Sequence, residues 1–210
     1  MYQLYYSPGA CSMAPHVLLN ELGVQFEAIN ANTPGTKNRS QEFLKLNPRG
    51  QVPVLVDDGE IIREGAAILI YLMDKHQSQM LPKSGIERAR ALEWLCFGNA
   101  TVHPAYGKAF FIMKNATDPA AKDQLLKAAT QQIDKYWAEV DERLAKMPYI
   151  CGKNLTMADI LLTVFANWNG MIPTPITLGS NVKRLIKEIS NRPAYKKALT
   201  TEQVEYKAAA

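Results

Sequence analysis

The sequence has few features of a disulfide-bonded or membrane-spanning protein. Its three cysteines, Cys11, Cys96 and Cys151, lie far apart and form no C-x-x-C pair. This usage fits a reducing compartment and argues against a disulfide framework or a bound metal. The most apolar stretch, residues 160–172, is shorter than a membrane span and follows Asp159. The start of the chain carries no signal-peptide pattern. We therefore expect a soluble, cytoplasmic protein without a metal site.

Charge of either sign is not in large excess. The 24 lysines and arginines exceed the 20 aspartates and glutamates by only four. The densest basic tracts, at 183–187 and 196–197, have helical spacing and are interpreted as solvated helix faces. Neither nucleic acid nor a membrane is therefore an expected partner. With 47% apolar residues, a chain of 210 residues can bury a substantial core in one or two domains.

The first 77 residues alternate between strand and helix patterns. Strand patterns occur at 2–6, 26–30, 52–56 and 61–62, and helix patterns at 12–22, 41–46 and 64–75. Gly23 is expected to end the first helix, and residues 57–59 are expected to form a hairpin turn. The order β-α-β-α-β-β-α predicts an α+β domain over residues 1–77, with a right-handed crossover unit followed by a hairpin.

After a polar linker at residues 78–85, only helical patterns are found. Apolar residues recur at helical spacing in five segments: 86–116, 119–146, 156–169, 179–190 and 193–199. The third segment is so apolar that we expect it at the centre. An all-helical domain over residues 86–203 is therefore predicted. Gly98 and Pro104 predict a kink near residues 98–104, because proline removes a helical hydrogen bond and disfavours helical angles at His103.

Cys11 points most directly to chemistry. It lies between a strand, which Pro8-Gly9 ends, and the first helix pattern, so we expect it at or just before the helix N-terminus. Free backbone N–H groups and the helix dipole favour negative charge there. A thiolate on Cys11, or the thiol of a bound small molecule, would be stabilised at this place.

Two further motifs are consistent with a peptide-like ligand. A cis Val52–Pro53 bond would leave the backbone N–H and C=O of Val52 open to pair with a ligand as an added strand, although a plain turn is the alternative. Glu64 precedes a helix whose N-terminal N–H groups could take a carboxylate while Glu64 takes an ammonium group. The alternative is that Glu64 only complements the helix dipole.

Several other side chains are interpreted as structural. Thr156 and Asp159, ahead of an apolar run, resemble a helix capping box, and substituting either should cost about 0.5–2 kcal/mol. Tyr6 and His16 are expected to pack within the domain. The two remaining cysteines, at 96 and 151, are expected to be buried as small apolar residues.

In this order and at these spacings, five segments together resemble the cytosolic glutathione S-transferases, most closely the bacterial beta class. They are residues 6–15, 47–55, 64–71, 93–103 and 155–159. The resemblance covers nearly the whole chain. It implies a thioredoxin-like N-terminal domain, a helical C-terminal domain and a homodimer. It also implies detoxification by transfer of the glutathione thiol to electrophilic, mostly apolar small molecules.

The resemblance implies roles for individual residues. Cys11 matches the cysteine beside the glutathione sulfur, Ser12 offers a neighbouring hydroxyl, and His103 matches a histidine that faces the sulfur. The positions matching glutathione-binding residues are Lys37, Val52, Pro53, Glu64 and Gly65. A mixed disulfide of Cys11 with glutathione would add thiol-transferase or peroxide-reducing activity.

Three positions depart from the class pattern, and other functions stay open. Cys96 stands where the class commonly has Asn, Thr101 where it has an acidic residue and Pro104 where it has Lys. One alternative function is a non-enzymatic interaction or regulatory module on the same fold. Another is a glutathione-dependent isomerase or dehalogenase. The presence together of Cys11, Val52-Pro53 and Glu64 favours an enzyme, because an interaction module has no evident need for all three, but the sequence does not specify the electrophile.

Overall fold

A computed structural model describes residues 1–209. These residues form two compact units. Unit 1 comprises Met1–Lys83 and Asn191–Glu205, and unit 2 comprises Ser84–Ser190 with the C-terminal residues from Tyr206. No helix in the described range is both long and apolar enough to cross a bilayer.

Unit 1 contains a four-stranded mixed sheet and four helices. Its elements are β1 (Tyr2–Tyr6), α1 (Met13–Glu21), β2 (Phe26–Asn30), α2 (Gln41–Leu46), β3 (Val54–Asp57), β4 (Glu60–Arg63), α3 (Gly65–Lys75) and α9 (Pro193–Glu202). The strand order is β2-β1-β3-β4, with β1 parallel to β2 and the other pairs antiparallel. The predicted order β-α-β-α-β-β-α is confirmed.

The crossover between β1 and β2 places the start of α1 beside the sheet. Alternate side chains of β1, those of Tyr2, Leu4 and Tyr6, are buried. Because β1 and β2 run parallel, α1 must return across the sheet and begins near the carboxyl end of β1. Strand β3 begins two residues later than predicted, since Pro53 has no N–H to donate to a ladder.

Helix α9 belongs to unit 1, which differs from the predicted helical domain over residues 86–203. It packs against α1 and ends at the buried carboxylate of Glu202. Arg192, just before α9, donates from Nε to Glu21 at the end of α1 at 2.6 Å. Local helical spacing could not reveal this packing, because α9 is remote in sequence from its partner helix.

Unit 2 is helical. Its elements are α4 (Gly85–Cys96), a π-helical stretch (Phe97–Val102), α5 (His103–Asn115), α6 (Pro119–Leu144), α7 (Met157–Ala166), a 3₁₀ stretch (Asn167–Met171) and α8 (Ser180–Ser190). Every residue of α7 is buried, and α4 and α8 both pack on it. The prediction of a central apolar helix is therefore confirmed.

The helical region predicted over residues 86–116 is interrupted where a kink was expected. The π-helical stretch packs closely on α7, since a Cβ at Gly98 would come within 3.0 Å of Leu161 Cδ2. His103 nevertheless has helical angles, φ −55° and ψ −51°. The expectation that Pro104 disfavours them is wrong. Pro104 directly follows the π-helical stretch, where the N–H of His103 reaches back five residues to the carbonyl of Gly98, so the α-helical hydrogen-bond pattern is already interrupted where the proline lacks its N–H.

Candidate active site

Cys11 lies in the turn between β1 and α1, just before the helix begins at Met13. Its Sγ is 3.3 Å from the carbonyl oxygen of Val52, to which the thiol donates a hydrogen bond. The backbone N–H groups of Cys11 and Ser12 approach the sulfur and favour its charged form. The expected placement at a helix N-terminus is therefore observed.

The expectation of a stabilised thiolate on Cys11 is wrong for the free chain. Burial raises the pKa of Cys11 to about 11. The two N–H groups and the charge of Arg39 lower this pKa, and Glu202 raises it further, but burial dominates. Removal from water disfavours the charged form of a thiol. Cys11 is therefore a neutral hydrogen-bond donor at pH 7.

The peptide bond between Val52 and Pro53 is cis, as the motif suggested. The carbonyl of Val52 is not left open, because it accepts the hydrogen bond of Cys11. The N–H of Val52 has no partner in the described part of the chain. One of the two backbone groups expected to receive a ligand is therefore open, and the other is engaged by a thiol.

Glu64 adopts an uncommon backbone conformation immediately before α3. Its φ is 73°, in a region of backbone angles that residues other than glycine rarely adopt. Residues with such angles occur preferentially at functional sites. Its carboxylate pairs with Arg49 at 3.0 Å, and more than half of each side chain is exposed. Within residues 1–209, the N–H groups of residues 65–67 at the start of α3 have no partner. They leave the N-terminus of α3 open to accept an anion.

Arg39 is a part of this site that the sequence patterns do not reveal. It donates from Nε to the carbonyl of Gly50 at 2.8 Å and from Nη1 to the side-chain oxygen of Asn32. An isolated β-bridge between Asn32 and Arg39 shows that the intervening loop folds back on itself. The charge of Arg39 lowers the pKa of Cys11. Only this long-range geometry distinguishes Arg39 from other basic residues.

Two predicted site residues have contrasting surroundings. Ser12 is fully buried, and its hydroxyl accepts from the N–H of Ser7 at 3.1 Å and donates to the Ser7 carbonyl at 3.3 Å. Its hydroxyl therefore closes the turn. Lys37 is exposed in the loop after β2 and makes no ion pair with any described residue. It stays a predicted ligand group.

A buried pair of side chains, those of His16 and Glu202, supports the turn between β1 and α1. His16 Nδ1 lies 2.8 Å from Glu202 Oε1, and both side chains are buried. The other carboxylate oxygen of Glu202 accepts the N–H of Gly9 at 2.9 Å. The ring of Tyr6 packs on His16, with centroids 5.6 Å apart. The structural interpretation of Tyr6 and His16 is confirmed.

His103 lies in an aromatic cluster of unit 2. Its ring stacks on Phe165 and is also 5.2 Å, centroid to centroid, from Trp168. Burial lowers the pKa of His103, so its imidazole is neutral at pH 7. Neither ring nitrogen has a hydrogen-bond partner among residues 1–209. The prediction that His103 faces a sulfur stays a prediction.

Unit 2 also contains a cavity of about 520 Å³ between its π-helical stretch, α5 and α6. Small and apolar side chains line most of it, and Thr101, Lys108, Gln132 and Tyr136 add polar groups. Thr101 and Pro104, two departures from the class pattern, both line this cavity. The cavity could therefore accept an apolar molecule with a polar substituent.

The two other cysteines do not match their predicted burial. Cys96 is exposed at the end of α4, so its prediction is wrong. Cys151 is half-buried, and its sulfur accepts a hydrogen bond from Thr156 Oγ1 at 3.4 Å. In the part of the chain that the structure describes, no group of three or more His, Cys, Asp or Glu side chains is placed to hold a metal ion.

The β2-β1-β3-β4 sheet, a cysteine at the start of α1 and a cis-proline before β3 define the thioredoxin-like class of domains. In this chain the domain is followed by a helical unit.

Comparisons with known proteins identify the family within that class. Residues 1–74 match the family model for the glutathione S-transferase N-terminal domain, and residues 66–193 match the model for its C-terminal domain. Glutathione S-transferase GstA of Escherichia coli O157:H7 is 28% identical over 204 residues, which cover 95% of this chain and 98% of that protein.

Two solved structures extend the match. A sphingomonad glutathione S-transferase complexed with glutathione is 32% identical with a TM-score of 0.80, covering 97% of this chain and 100% of that one. A bacterial beta-class enzyme of Sphingomonas chungbukensis is 29% identical with a TM-score of 0.81, at the same coverage. The chain therefore belongs to the glutathione S-transferase family, and the resemblance found in its sequence is confirmed.

Proposed function

We propose that this chain binds glutathione on unit 1 and transfers its thiol to electrophilic, mostly apolar small molecules. The observation that carries the proposal is the conjunction in one unit of three features. These are a thiol at the start of α1, the open N–H of Val52 and the open N-terminus of α3 behind Glu64. Family membership and the glutathione bound to the sphingomonad relative support it. A homodimer, a cytoplasmic location and a role in detoxification complete the proposal.

Each end of glutathione has a chemically suitable partner. The N–H groups from Gly65 onward suit the α-carboxylate of the γ-glutamyl end, and Glu64 suits its ammonium group. Binding in this way requires Glu64 to exchange its solvent-exposed pairing with Arg49 for the ligand. Val52 pairs with the backbone of the cysteinyl part, beside Pro53, and Lys37 serves the glycyl carboxylate.

The site must stabilise the bound thiol as a thiolate. An ordinary thiol has a pKa near 8.5, and lowering it by about two units needs roughly 2.7 kcal/mol. Burial keeps the thiol of Cys11 protonated, and its one S–H can turn from the Val52 carbonyl to donate to a neighbouring thiolate. Ser12 supports this arrangement by closing the turn.

A second activity, thiol–disulfide exchange, is favoured by the position of the Cys11 sulfur. The Cys11 thiolate attacks a sulfur of oxidised glutathione, a new disulfide forms, and one glutathione leaves as a thiolate. The free thiolate then takes up the proton that Cys11 lost. This route needs Cys11 itself as nucleophile, whereas conjugation needs it only as a neighbouring donor.

Cys11→Ala is therefore expected to separate the two activities. We expect disulfide exchange to fall about tenfold or more, because its nucleophile is lost. Conjugation of an aryl halide should fall less, since the backbone N–H groups of the turn remain. Both rates are measured on the same preparation with saturating glutathione. Equal and near-complete loss of both activities would contradict this division of roles.

A further inference from the structure

Arg39 joins the two backbone segments that meet at Cys11. Its Nε donates to the carbonyl of Gly50 at 2.8 Å. Two residues later, the carbonyl of Val52 accepts the thiol of Cys11 at 3.3 Å. The guanidinium of Arg39 and the sulfur of Cys11 are therefore hydrogen-bonded to the two ends of one short segment, residues 50–52.

A second series of hydrogen bonds leads from the guanidinium of Arg39 to the turn that contains Cys11. Its Nη1 donates to Asn32, whose amide nitrogen donates to Ser7 Oγ at 3.0 Å. The N–H of Ser7 donates to the hydroxyl of Ser12 at 3.1 Å, and Ser12 is the neighbour of Cys11. The two paths close a ring of hydrogen bonds and chain segments that begins and ends at Cys11. We call it the Arg39 ring.

Arg39 also brings charge to the ring. A guanidinium carries five N–H donors, and two of those on Arg39 are engaged by described residues. The side chain is half-buried, so its charge is less screened than that of a fully exposed cation. Two charged residues act on the Cys11 sulfur. Arg39 favours its ionised form and Glu202, engaged by His16 and Gly9, opposes it.

We propose that Arg39 is a positioning residue of the site. It holds residues 50–52 against Cys11 and supplies the positive charge that stabilises a thiolate formed there. In exchange with oxidised glutathione, this thiolate attacks the disulfide and the leaving glutathione thiolate departs. Only that last step rests on the proposed function. Formation of the thiolate is a property of the chain alone and is tested without glutathione.

The rate of alkylation of Cys11 by iodoacetamide measures its thiolate directly. Cys96→Ser and Cys151→Ser in the background leave Cys11 as the sole target. Three variants are compared with this parent between about pH 7.5 and 9.5, below the pKa of Cys11, where the rate is proportional to the thiolate fraction. Arg39→Met removes the charge, Arg39→Lys keeps it, and Lys45→Met removes an exposed cation at the end of α2 as a matched control.

We expect Arg39→Met to slow alkylation about twofold or more at each pH, which corresponds to a rise of about half a unit in the pKa of Cys11 once the better nucleophilicity of a higher-pKa thiolate is included. Arg39→Lys should stay closer to the parent than to Arg39→Met, although it loses the fork that reaches Gly50 and Asn32. Lys45→Met should match the parent. Circular dichroism checks that each variant is folded.

Asn32→Asp provides a second test if Arg39→Met does not fold. It keeps an acceptor for the guanidinium but sets a negative charge against it, so alkylation should again slow. The proposal is overturned if folded Arg39→Met reacts at the parent rate, or if Arg39→Lys is slowed as much as Arg39→Met. A parent-like rate for Asn32→Asp would also overturn it. Because no glutathione is present, such failures would leave glutathione binding unaffected.

Discussion

Asp159→Ala is expected to lower the free energy of unfolding by about 2–6 kcal/mol. The Asp159 side chain is fully buried. One carboxylate oxygen accepts the N–H of Ile150 at 2.7 Å, and the other accepts the N–H and the hydroxyl of Thr156, each at 2.8 Å. Alanine leaves two buried backbone N–H groups without an acceptor, that of Ile150 and that of Thr156 at the cap of α7, each costing about 1–3 kcal/mol.

Urea denaturation of the variant and the parent measures this loss. Thr156→Ser is the matched control, because it keeps both the hydroxyl and the backbone N–H that contact Asp159. The control should stay within about 1 kcal/mol of the parent. A loss of less than about 1 kcal/mol for Asp159→Ala would mean that the carboxylate only caps the helix and does not hold the segment at Ile150.

In the absence of ligand, Cys11 should react with iodoacetamide about 20-fold more slowly than a free cysteine. Burial raises the pKa of Cys11 to about 11. Relative to an ordinary value near 8.5, this leaves about 300-fold less thiolate at pH 7.5. A thiolate of higher pKa is also a better nucleophile, by about 15-fold over this range, so the two effects partly cancel.

The comparison uses the variant that has Cys11 as its sole cysteine, with a cysteine in a short blocked peptide, whose pKa is near 8.5, as the reference thiol. The cysteine-free variant, with Cys11→Ala added, gives the background. Urea should raise the rate toward that of the reference, because unfolding exposes the thiol to water. A rate at or above the reference in the folded protein would show that the helix N-terminus outweighs burial.

The features predicted correctly from the sequence are those that depend on neighbouring residues. Strand and helix order in unit 1, the apolar α7 and the cap at Thr156 all follow from local periodicity and from short side-chain motifs. Local composition also offered the cis bond before Pro53 as one of two alternatives, but it gave no sign of the positive φ of Glu64.

The features that were missed depend on contacts between distant segments. Asp159 appeared only as a cap, because its bond to Ile150 crosses a loop. Arg39 depends on a loop that folds back to Gly50. The neutral state of Cys11 follows from burial, which a turn motif does not report. Pairing of Glu202 with His16 joins positions 186 residues apart.

Calorimetric titration of the reduced protein with glutathione tests the central claim most directly. Glu64→Gln removes the carboxylate before α3, and Glu60→Gln makes the same charge change at an exposed residue of β4 as the control. The account predicts binding by the parent and by Glu60→Gln, and binding weakened at least several-fold by Glu64→Gln. No binding up to about 5 mM glutathione, a free energy weaker than about −3 kcal/mol, would contradict it and favour an interaction module. Equal affinity of all three proteins would remove Glu64 from the site.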